Sequence, residues 1–285
     1  MEALEKESSP MTDALAVAAV QFRSGRALGD NVRRHCDYIR RCAAGGARVV
    51  AFPECSLTGF SPAVIAKATA AELAEAEAAL AAAAQEAGAY AVVGMPTRQG
   101  PSTFNSAVVV APDGRVLERY HKIQLAGEKW ATPGDHLSVF PVDGVLCSLL
   151  ICHDERYPEL VRLPVLAGAR VVFYLSCESD LTHEHKMVPY RAQIVARAAE
   201  NNVYVVHANA PAAKRGLGGS HGQSRIIRPD GNLLTEASIF AEEVVSATLD
   251  LRQATGGFAQ RSLRCPLLSA WWETGTSKVL RVKAG

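Results

Sequence analysis

The feature that most constrains the fold is a five-residue sequence that occurs twice in the chain. Gly-Ala-Arg-Val-Val stands at 46–50 and again at 168–172. Each copy opens a near-continuous apolar run, which is typical of a strand buried on both faces. A Pro-Asp-Gly turn follows later in each half, at 112–114 and at 229–231. Such a turn between two apolar segments predicts a β-hairpin, because Pro and Gly suit the dihedral angles that the turn requires.

The two halves repeat the same order of predicted strands and helices. The first half is predicted to have strands at 16–20, 46–52, 89–95, 106–111 and 115–120, with helices at 33–44 and 70–87. The second half is predicted to have strands at 145–151, 168–172, 203–207, 224–228 and 232–235, with helices at 159–167 and 191–201. Two βαβαββ units related by an internal pseudo-twofold would pack their sheets face to face, with helices outside. We therefore predict an α/β protein built as a four-layer α-β-β-α sandwich. A doubly wound sheet is the alternative, and the antiparallel hairpins argue against it.

Composition and charge exclude several classes of protein. The chain has 30 Lys and Arg against 29 Asp and Glu, so it lacks the strong positive charge typical of proteins that bind nucleic acid or anionic membranes. No apolar run approaches the length of a membrane span, and residues 1–13 lack the apolar core of a signal peptide. The seven cysteines have no C-x-x-C spacing, so neither a disulfide framework nor a zinc site is predicted. We expect a cytoplasmic protein with a flexible tail at 1–13, one domain at 14–250 and a C-terminal extension at 251–285.

Three chemically reactive residues each follow a predicted strand. They are Glu54, Lys122 and Cys152, and α/β proteins place ligands and catalytic groups just outside the carboxyl ends of their strands. Taken singly, Cys152 is typical of a buried core thiol, Glu54 of a helix cap or turn, and Lys122 of a solvated surface residue. The coincidence of all three at strand ends favours a common site.

The segments that contain these residues resemble the signatures of the carbon–nitrogen hydrolase (nitrilase) superfamily. They read Phe-Pro-Glu-Cys-Ser-Leu-Thr-Gly-Phe at 52–60, His-Lys-Ile-Gln-Leu at 121–125 and Ile-Cys-His-Asp-Glu-Arg-Tyr-Pro-Glu at 151–159. The resemblance covers roughly residues 14–250. It implies an α-β-β-α sandwich in which Glu54, Lys122 and Cys152 form a catalytic triad. A second glutamate of the family, best matched by Glu128, would support the site.

The resemblance implies hydrolysis through a thioester. The thiolate of Cys152 would attack an amide carbonyl carbon, while Glu54 transfers protons. Lys122 and the backbone N–H of His153 would stabilise the oxyanion. We expect Lys122 and the N-terminus of the helix that Pro158 opens to lower the pKa of Cys152. No cofactor and no metal are expected.

The residues after the nucleophile indicate the substrate. Nitrile hydrolysis in the family goes with a Trp-Glu pair at this point, whereas this chain has His153 and Asp154. An Asp at the second position goes with amide and carbamoyl hydrolysis, so we predict a small linear amide that yields acid and ammonia. An N-carbamoyl amine or amino acid is the alternative substrate. A catalytically inactive binding or scaffold protein of the same fold is the alternative of another class, and the intact triad disfavours it.

Further residues are candidates for the pocket. His153, Phe60 and Cys177 are expected to line it, although a small buried filler is an equal interpretation of Cys177. Glu155 and Glu178 are candidates for binding a cationic amine, but the sequence predicts that each is solvated. The sequence His183-Glu184-His185 is interpreted as a polar loop rather than a metal site, because no third ligand is evident.

The C-terminal extension predicts self-association. It carries five large apolar residues, which is more apolar surface than a small appendage leaves in water. They are Trp271, Trp272, Val279, Leu280 and Val282. Together with the resemblance, they predict a homodimer or a higher even-numbered homo-oligomer, with the extension at the subunit interface.

Overall fold

The computed structural model describes residues 13–178, 187–213 and 220–283, and within them two β-sheets are flanked by helices. The strands are β1 (Ala14–Gln21), β2 (Val49–Ala51), β3 (Tyr90–Gln99), β4 (Ser102–Val110), β5 (Val116–His121), β6 (Ser138–Val142), β7 (Val145–Ile151), β8 (Val171–Ser176), β9 (Tyr204–Asn209), β10 (Arg225–Ile227), β11 (Leu233–Glu236), β12 (Glu243–Asp250) and β13 (Leu280–Arg281). The α-helices are α1 (Leu28–Ala44), α2 (Pro62–Lys67), α3 (Ala70–Ala87), α4 (Glu159–Leu166), α5 (Met187–Ala199), α6 (Gly257–Ser262) and α7 (Ser269–Thr276).

The two sheets repeat the same strand order and directions. The first sheet runs β12-β1-β2-β3-β4-β5 and the second runs β11-β10-β9-β8-β7-β6-β13. In the first, β1, β2 and β3 are parallel, and β3, β4 and β5 are antiparallel. In the second, β7, β8 and β9 are parallel, and β9, β10 and β11 are antiparallel. The predicted pair of βαβαββ units is confirmed.

The residues of β1 show how the layers form. Val17 and Ala19 face the second sheet and belong to the same apolar core as Leu149 and Phe173. Alternate residues of a strand point to opposite faces, so the intervening side chains of β1 pack on the other side, against helices α1 and α3. The sheet is thus apolar on both faces, and the helices form the outer layers.

Helix α3 illustrates how local sequence fixes the element boundaries. Its N-cap Thr69 accepts a hydrogen bond from the N–H of Glu72, whose side chain in turn accepts one from the N–H of Thr69. This capping box satisfies two N–H groups that have no partner inside the helix. Gly88 ends the helix with a φ of +62°, a left-handed conformation that glycine adopts without steric cost. The predicted range of 70–87 matches the helix.

Three strands were not predicted, and two of them, β12 and β13, have partners that are distant in sequence. Strand β12 pairs along the whole of β1, and the short β6 and β13 lie side by side in the second sheet. Strand β13 lies in the C-terminal extension, which therefore folds back on its own chain. Val279 is buried and Trp272 packs against the core, whereas Trp271 and Leu280 remain about half exposed. Residues 1–12 of the predicted flexible tail lie outside the described residues.

Candidate active site

The three sequence-predicted residues meet at the carboxyl ends of strands from both sheets. Glu54 follows β2, Lys122 follows β5 and Cys152 follows β7. Lys122 and Cys152 line a pocket of about 760 Å³. Glu54 lies behind Lys122, with 2.7 Å between its Oε1 and the lysine Nζ. The sandwich therefore joins two residues of the first sheet to one of the second.

Glu54 is held by hydrogen bonds at both carboxylate oxygens. Its Oε1 accepts from Lys122 and from Nδ2 of Asn105, the latter at 2.8 Å, and its Oε2 accepts from the backbone N–H of Cys177 at 2.9 Å. The side chain is buried, and these three donors fix its orientation. Sequence reasoning missed Asn105, although an asparagine next to a predicted strand is an unusual residue that could have drawn attention.

The turn that carries Glu54 requires a glycine on the neighbouring strand. A Cβ atom on Gly94 of β3 would lie 2.1 Å from the carbonyl oxygen of Pro53 and 2.7 Å from Cα of Glu54. Real Cβ atoms do not approach so closely, so only glycine allows the turn to lie against β3 at this point. The next residue of the turn, Cys55, has a φ of +50°, in the left-handed region.

Lys122 is enclosed by two carboxylates. Its Nζ donates to Glu54 and to Oε1 of Glu128, whose other oxygen accepts from the backbone N–H of Ala126. Burial by itself would lower the pKa of Lys122, but Glu54 and Glu128 outweigh it and raise that pKa above its ordinary value. Glu128 is buried and paired, as the resemblance implied, and is not an exposed loop residue.

A second glycine positions the backbone of Lys122. A Cβ atom on Gly134 would lie 2.1 Å from the carbonyl oxygen of His121. The N–H of Gly134 donates to the carbonyl of Lys122 at 2.8 Å, and the N–H of Lys122 donates to the carbonyl of Asn105 at 2.8 Å. The end of β5 is therefore fixed on two sides.

Cys152 occupies a sharp turn at the end of β7. Its φ is +44°, and such a conformation costs a non-glycine residue roughly 1–3 kcal/mol. It is the first residue of a 3-10 turn at 152–156, and α4 begins only at Glu159. The N–H of His153 belongs to the first turn of this short helix, where backbone N–H groups have no partner inside the helix. It is thus a suitable oxyanion donor.

The expected lowering of the Cys152 pKa is wrong. Burial and the charge of Glu54 raise that pKa well above its ordinary value, and Lys122 compensates only in part. The charge of Lys122 is paired with Glu54 and Glu128, and the segment that begins at Cys152 is a 3-10 turn, with α4 starting only at Glu159. The raised pKa favours the thiol form of Cys152, so that a base is needed to make it a nucleophile.

Asp154, which the resemblance associates with amide hydrolysis, does not line the pocket. It accepts from the hydroxyl of Tyr120 at 2.8 Å and from the backbone N–H of Gln124 at 2.7 Å. Burial raises its pKa to about 6, although these hydrogen bonds act in the opposite direction. Asp154 ties the turn of Cys152 to the strand end that carries Lys122.

The pocket wall contains the remaining predicted residues. Phe60, His153 and Cys177 all line it. Phe60 is 38% exposed and contacts Trp130 edge to face, with 6.3 Å between ring centroids. Burial lowers the pKa of His153. Sequence reasoning missed Trp130 and Tyr190, which also line the pocket.

The prediction that the chain holds no metal can be compared with the structure only for the described residues. His183, Glu184 and His185 lie outside the described residues. Among residues 13–178, 187–213 and 220–283, no group of three or more His, Cys, Asp and Glu side chains is arranged to hold a metal ion. In the same part of the chain, no helix combines the length and the apolar character needed to span a membrane.

Comparison with known proteins identifies the family. The family model for carbon–nitrogen hydrolases matches residues 16–256. The chain belongs to the carbon–nitrogen hydrolase family. Omega-amidase NIT2 of Homo sapiens is 27% identical over 251 residues, which cover 83% of this chain and 89% of that protein. Omega-amidase NIT2-B of Xenopus laevis is 27% identical over 250 residues, 83% of this chain and 88% of that protein.

Solved structures of a nitrilase-superfamily amidase from Nesterenkonia sp. AN1 have the same fold. A cysteine-to-alanine mutant is 27% identical, with a TM-score of 0.79 over 90% of this chain and 97% of the amidase. A double mutant in complex with acrylamide is 25% identical, with a TM-score of 0.80 over 93% of this chain and 99% of the amidase. The predictions of the superfamily and of the α-β-β-α sandwich are confirmed.

Proposed function

We propose that this carbon–nitrogen hydrolase is an amidase that cleaves small linear amides to acid and ammonia through a thioester on Cys152. The observation that carries the proposal is the convergence of Glu54, Lys122 and Cys152 on one pocket, with Glu54 bonded to Lys122 at 2.7 Å. Similarity to omega-amidases and to an amidase with bound acrylamide supports an amide substrate.

The first half of the reaction transfers the acyl group to sulfur. The amide carbonyl oxygen lies against Nζ of Lys122 and the N–H of His153, which stabilise the negative charge that develops on it. Glu54 takes the proton of the Cys152 thiol, a step made necessary by the raised pKa of that thiol. The sulfur attacks the carbonyl carbon to form a tetrahedral intermediate, and Glu54 returns the proton to the leaving nitrogen. The carbon–nitrogen bond then breaks, ammonia departs, and the acyl group remains on Cys152 as a thioester.

The second half consumes water. Glu54 removes a proton from a water molecule, whose oxygen attacks the thioester carbonyl at the same oxyanion site. The tetrahedral intermediate collapses, the carbon–sulfur bond breaks, and the proton passes from Glu54 to the thiolate. Acid leaves and the thiol is restored. The fixed orientation of Glu54, with a donor on each oxygen, lets one carboxylate serve all these transfers.

Two alternatives are weaker. An N-carbamoyl substrate needs partners for its additional nitrogen, and it remains the second candidate because the same triad cleaves its C–N bond. A scaffold protein has no use for a lysine enclosed by two buried carboxylates next to a strained cysteine, since each feature costs stability.

A substrate panel tests the proposal. Purified protein is incubated with short linear carboxamides, the matching N-carbamoyl amines and the matching nitriles, and ammonia release is measured. We expect release from the carboxamides and none in Cys152→Ala. Release from nitriles without activity on the corresponding amides, or from N-carbamoyl compounds alone, would overturn the assignment.

A further inference from the structure

Two buried carboxyl groups lie in the pocket wall beside the proposed nucleophile. Glu155, in the turn of Cys152, is 1% exposed, and Glu178, just after β8, is 5% exposed. Both line the pocket. The prediction that they are solvated is therefore wrong, and the triad mechanism uses neither of them.

Glu178 has a partner for each oxygen. Oε1 accepts from the hydroxyl of Tyr174 at 2.8 Å, and Oε2 lies 2.7 Å from Nε2 of His221. Burial raises the pKa of Glu178, but the hydrogen bond with His221 and the neighbouring His207 outweigh it and lower the pKa below its ordinary value. The ionised form of Glu178 is therefore favoured, with His221 as its partner at the pocket wall.

Glu155 is different, because one of its oxygens has no partner. Its buried Oε2 makes no hydrogen bond to any described residue. The nearby Arg197 directs its donors elsewhere, since its Nε donates to the backbone carbonyl of Glu155 and its Nη1 pairs with Glu200. Burial and the charge of Glu178 raise the pKa of Glu155. A buried carboxyl oxygen without a partner costs stability unless a ligand satisfies it.

We propose that Glu155 and Glu178 form an amine subsite, so that the enzyme selects amides whose far end carries a protonated amine. This inference rests on the proposed amidase function and names its substrate class. The ammonium donates to Oε2 of Glu155, and Glu178 supplies the negative charge that attracts it. A cation beside Glu155 also favours its ionised form, which burial disfavours.

Glu155 and Glu178 also disfavour amides that carry a negative charge. An amide that ends in a carboxylate would bring a second anion next to Glu178 and a carboxyl group next to Glu155, with repulsion that burial strengthens. An amide that ends in a methyl group would leave Oε2 of Glu155 without a partner. Sites with a buried polar group reject analogues that cannot bond to it.

Matched substrates test the subsite. The set comprises β-alaninamide, γ-aminobutyramide and δ-aminovaleramide, their methyl-terminated isosteres butyramide, pentanamide and hexanamide, and the monoamides of succinic and glutaric acid. In the wild type we expect kcat/KM for the best amino amide to exceed that for its isostere by about 10- to 100-fold, the range of a charge-assisted hydrogen bond in a buried site. The acidic monoamides should be the poorest substrates.

A variant of Glu155 tests whether the preference comes from its carboxyl group. Glu155→Gln should bring the ratio of amino amide to isostere close to one. Glu75→Gln is the control, because it removes one carboxylate from the exposed face of α3 and should keep the wild-type ratio. Melting curves establish that each variant is folded. If Glu155→Gln does not fold, the wild-type ratios decide alone.

The outcomes separate the two proposals. Cleavage of the alkyl amides without preference for the ammonium overturns the subsite and leaves the amidase function intact. If no amide is cleaved, the amidase function fails, and calorimetry of Cys152→Ala then decides the subsite. Tighter binding of an amino amide than of its isostere supports it, and equal or weaker binding overturns it. Retention of the preference in Glu155→Gln also contradicts it.

Discussion

The two copies of Gly-Ala-Arg-Val-Val fold in the same way and lead to different chemistry. Both begin with a glycine in the left-handed region, Gly46 at a φ of +92° and Gly168 at +107°. The N–H of Arg48 donates to the neighbouring first strand at 2.8 Å, and the N–H of Arg170 donates to the equivalent strand of the second sheet at 2.8 Å. The repeated sequence thus fixes a repeated backbone.

The difference begins where the two strands end. The first copy leads to Glu54, which pairs with Lys122, and the second leads to Glu178, which pairs with Tyr174 and His221. Strand pairing also makes Phe22 the counterpart of Cys152, because β1 and β7 have the same register against β2 and β8. The comparison teaches that the two symmetric halves provide equivalent strand ends, and that the residues placed there decide the chemistry. Glu54 and Lys122 follow strands of the first half, whereas Cys152 and Glu178 follow strands of the second.

The largest expected effect on activity distinguishes the role of Glu54 from that of Glu178. Glu54→Gln removes the proposed base and should lower kcat about 10²-fold or more for every amide. Glu178→Gln should act mainly on the ratio between amino amides and their isosteres. Steady-state kinetics on the matched substrates measures both. If the two variants lower kcat for alkyl amides equally, the assignment of one carboxylate to reaction and the other to selection is wrong.

The rate of alkylation of Cys152 also tests the difference between Glu54 and Glu178. Because its pKa is raised, the thiolate fraction at neutral pH is small, and alkylation by iodoacetamide should rise about tenfold per pH unit. Both carboxylates raise that pKa, Glu54 more than Glu178. Glu54→Gln should therefore accelerate alkylation at pH 7 more than Glu178→Gln does. A wild-type rate independent of pH between 6 and 8 would mean that Cys152 rests as a thiolate.

Replacing Gly94 by alanine gives the first half the residue that occupies the equivalent position of the second half. By the strand register, Gly94 of β3 corresponds to Ala208 of β9. Gly94→Ala places a Cβ against Pro53 and should lower the free energy of unfolding by about 1–3 kcal/mol while displacing Glu54. Gly29→Ala in α1 is the control, since its Cβ would meet no atom within 4 Å. Urea denaturation measures both, and equal stability of the two variants would contradict the argument.

The smallest effect on activity is expected from the C-terminal extension. Leu267 is 86% exposed and Trp271 is 54% exposed, and we propose that they contribute to the interface of a homodimer or higher even-numbered oligomer. The double variant Leu267→Lys and Trp271→Lys should dissociate the assembly and leave kcat nearly unchanged, because neither residue lines the pocket. Light scattering measures the mass. A monomeric wild-type protein would contradict the proposal.

The order of strands and helices was predicted well from the sequence, because short local motifs mark these elements. The repeated pentapeptide and the two Pro-Asp-Gly turns sufficed for the five strands of each repeated unit. The residues that follow the strands sufficed to nominate Glu54, Lys122 and Cys152. What failed depends on three-dimensional surroundings. Glu155 and Glu178 are buried beside residues distant in sequence, Arg197 for Glu155 and His221 for Glu178. The pKa of Cys152 depends on burial and on the charge of Glu54, which outweigh Lys122. Strand β12 was missed because its partner β1 is the whole domain away in sequence.

The most direct test of the central claim compares the two cysteines of the pocket. Protein quenched during turnover of butyramide is digested and analysed by mass spectrometry for an acyl group. The account predicts an adduct on Cys152 in the wild type and in Cys177→Ala, and neither adduct nor ammonia release in Cys152→Ala. An acyl group on Cys177, or ammonia release by a folded Cys152→Ala, would contradict it.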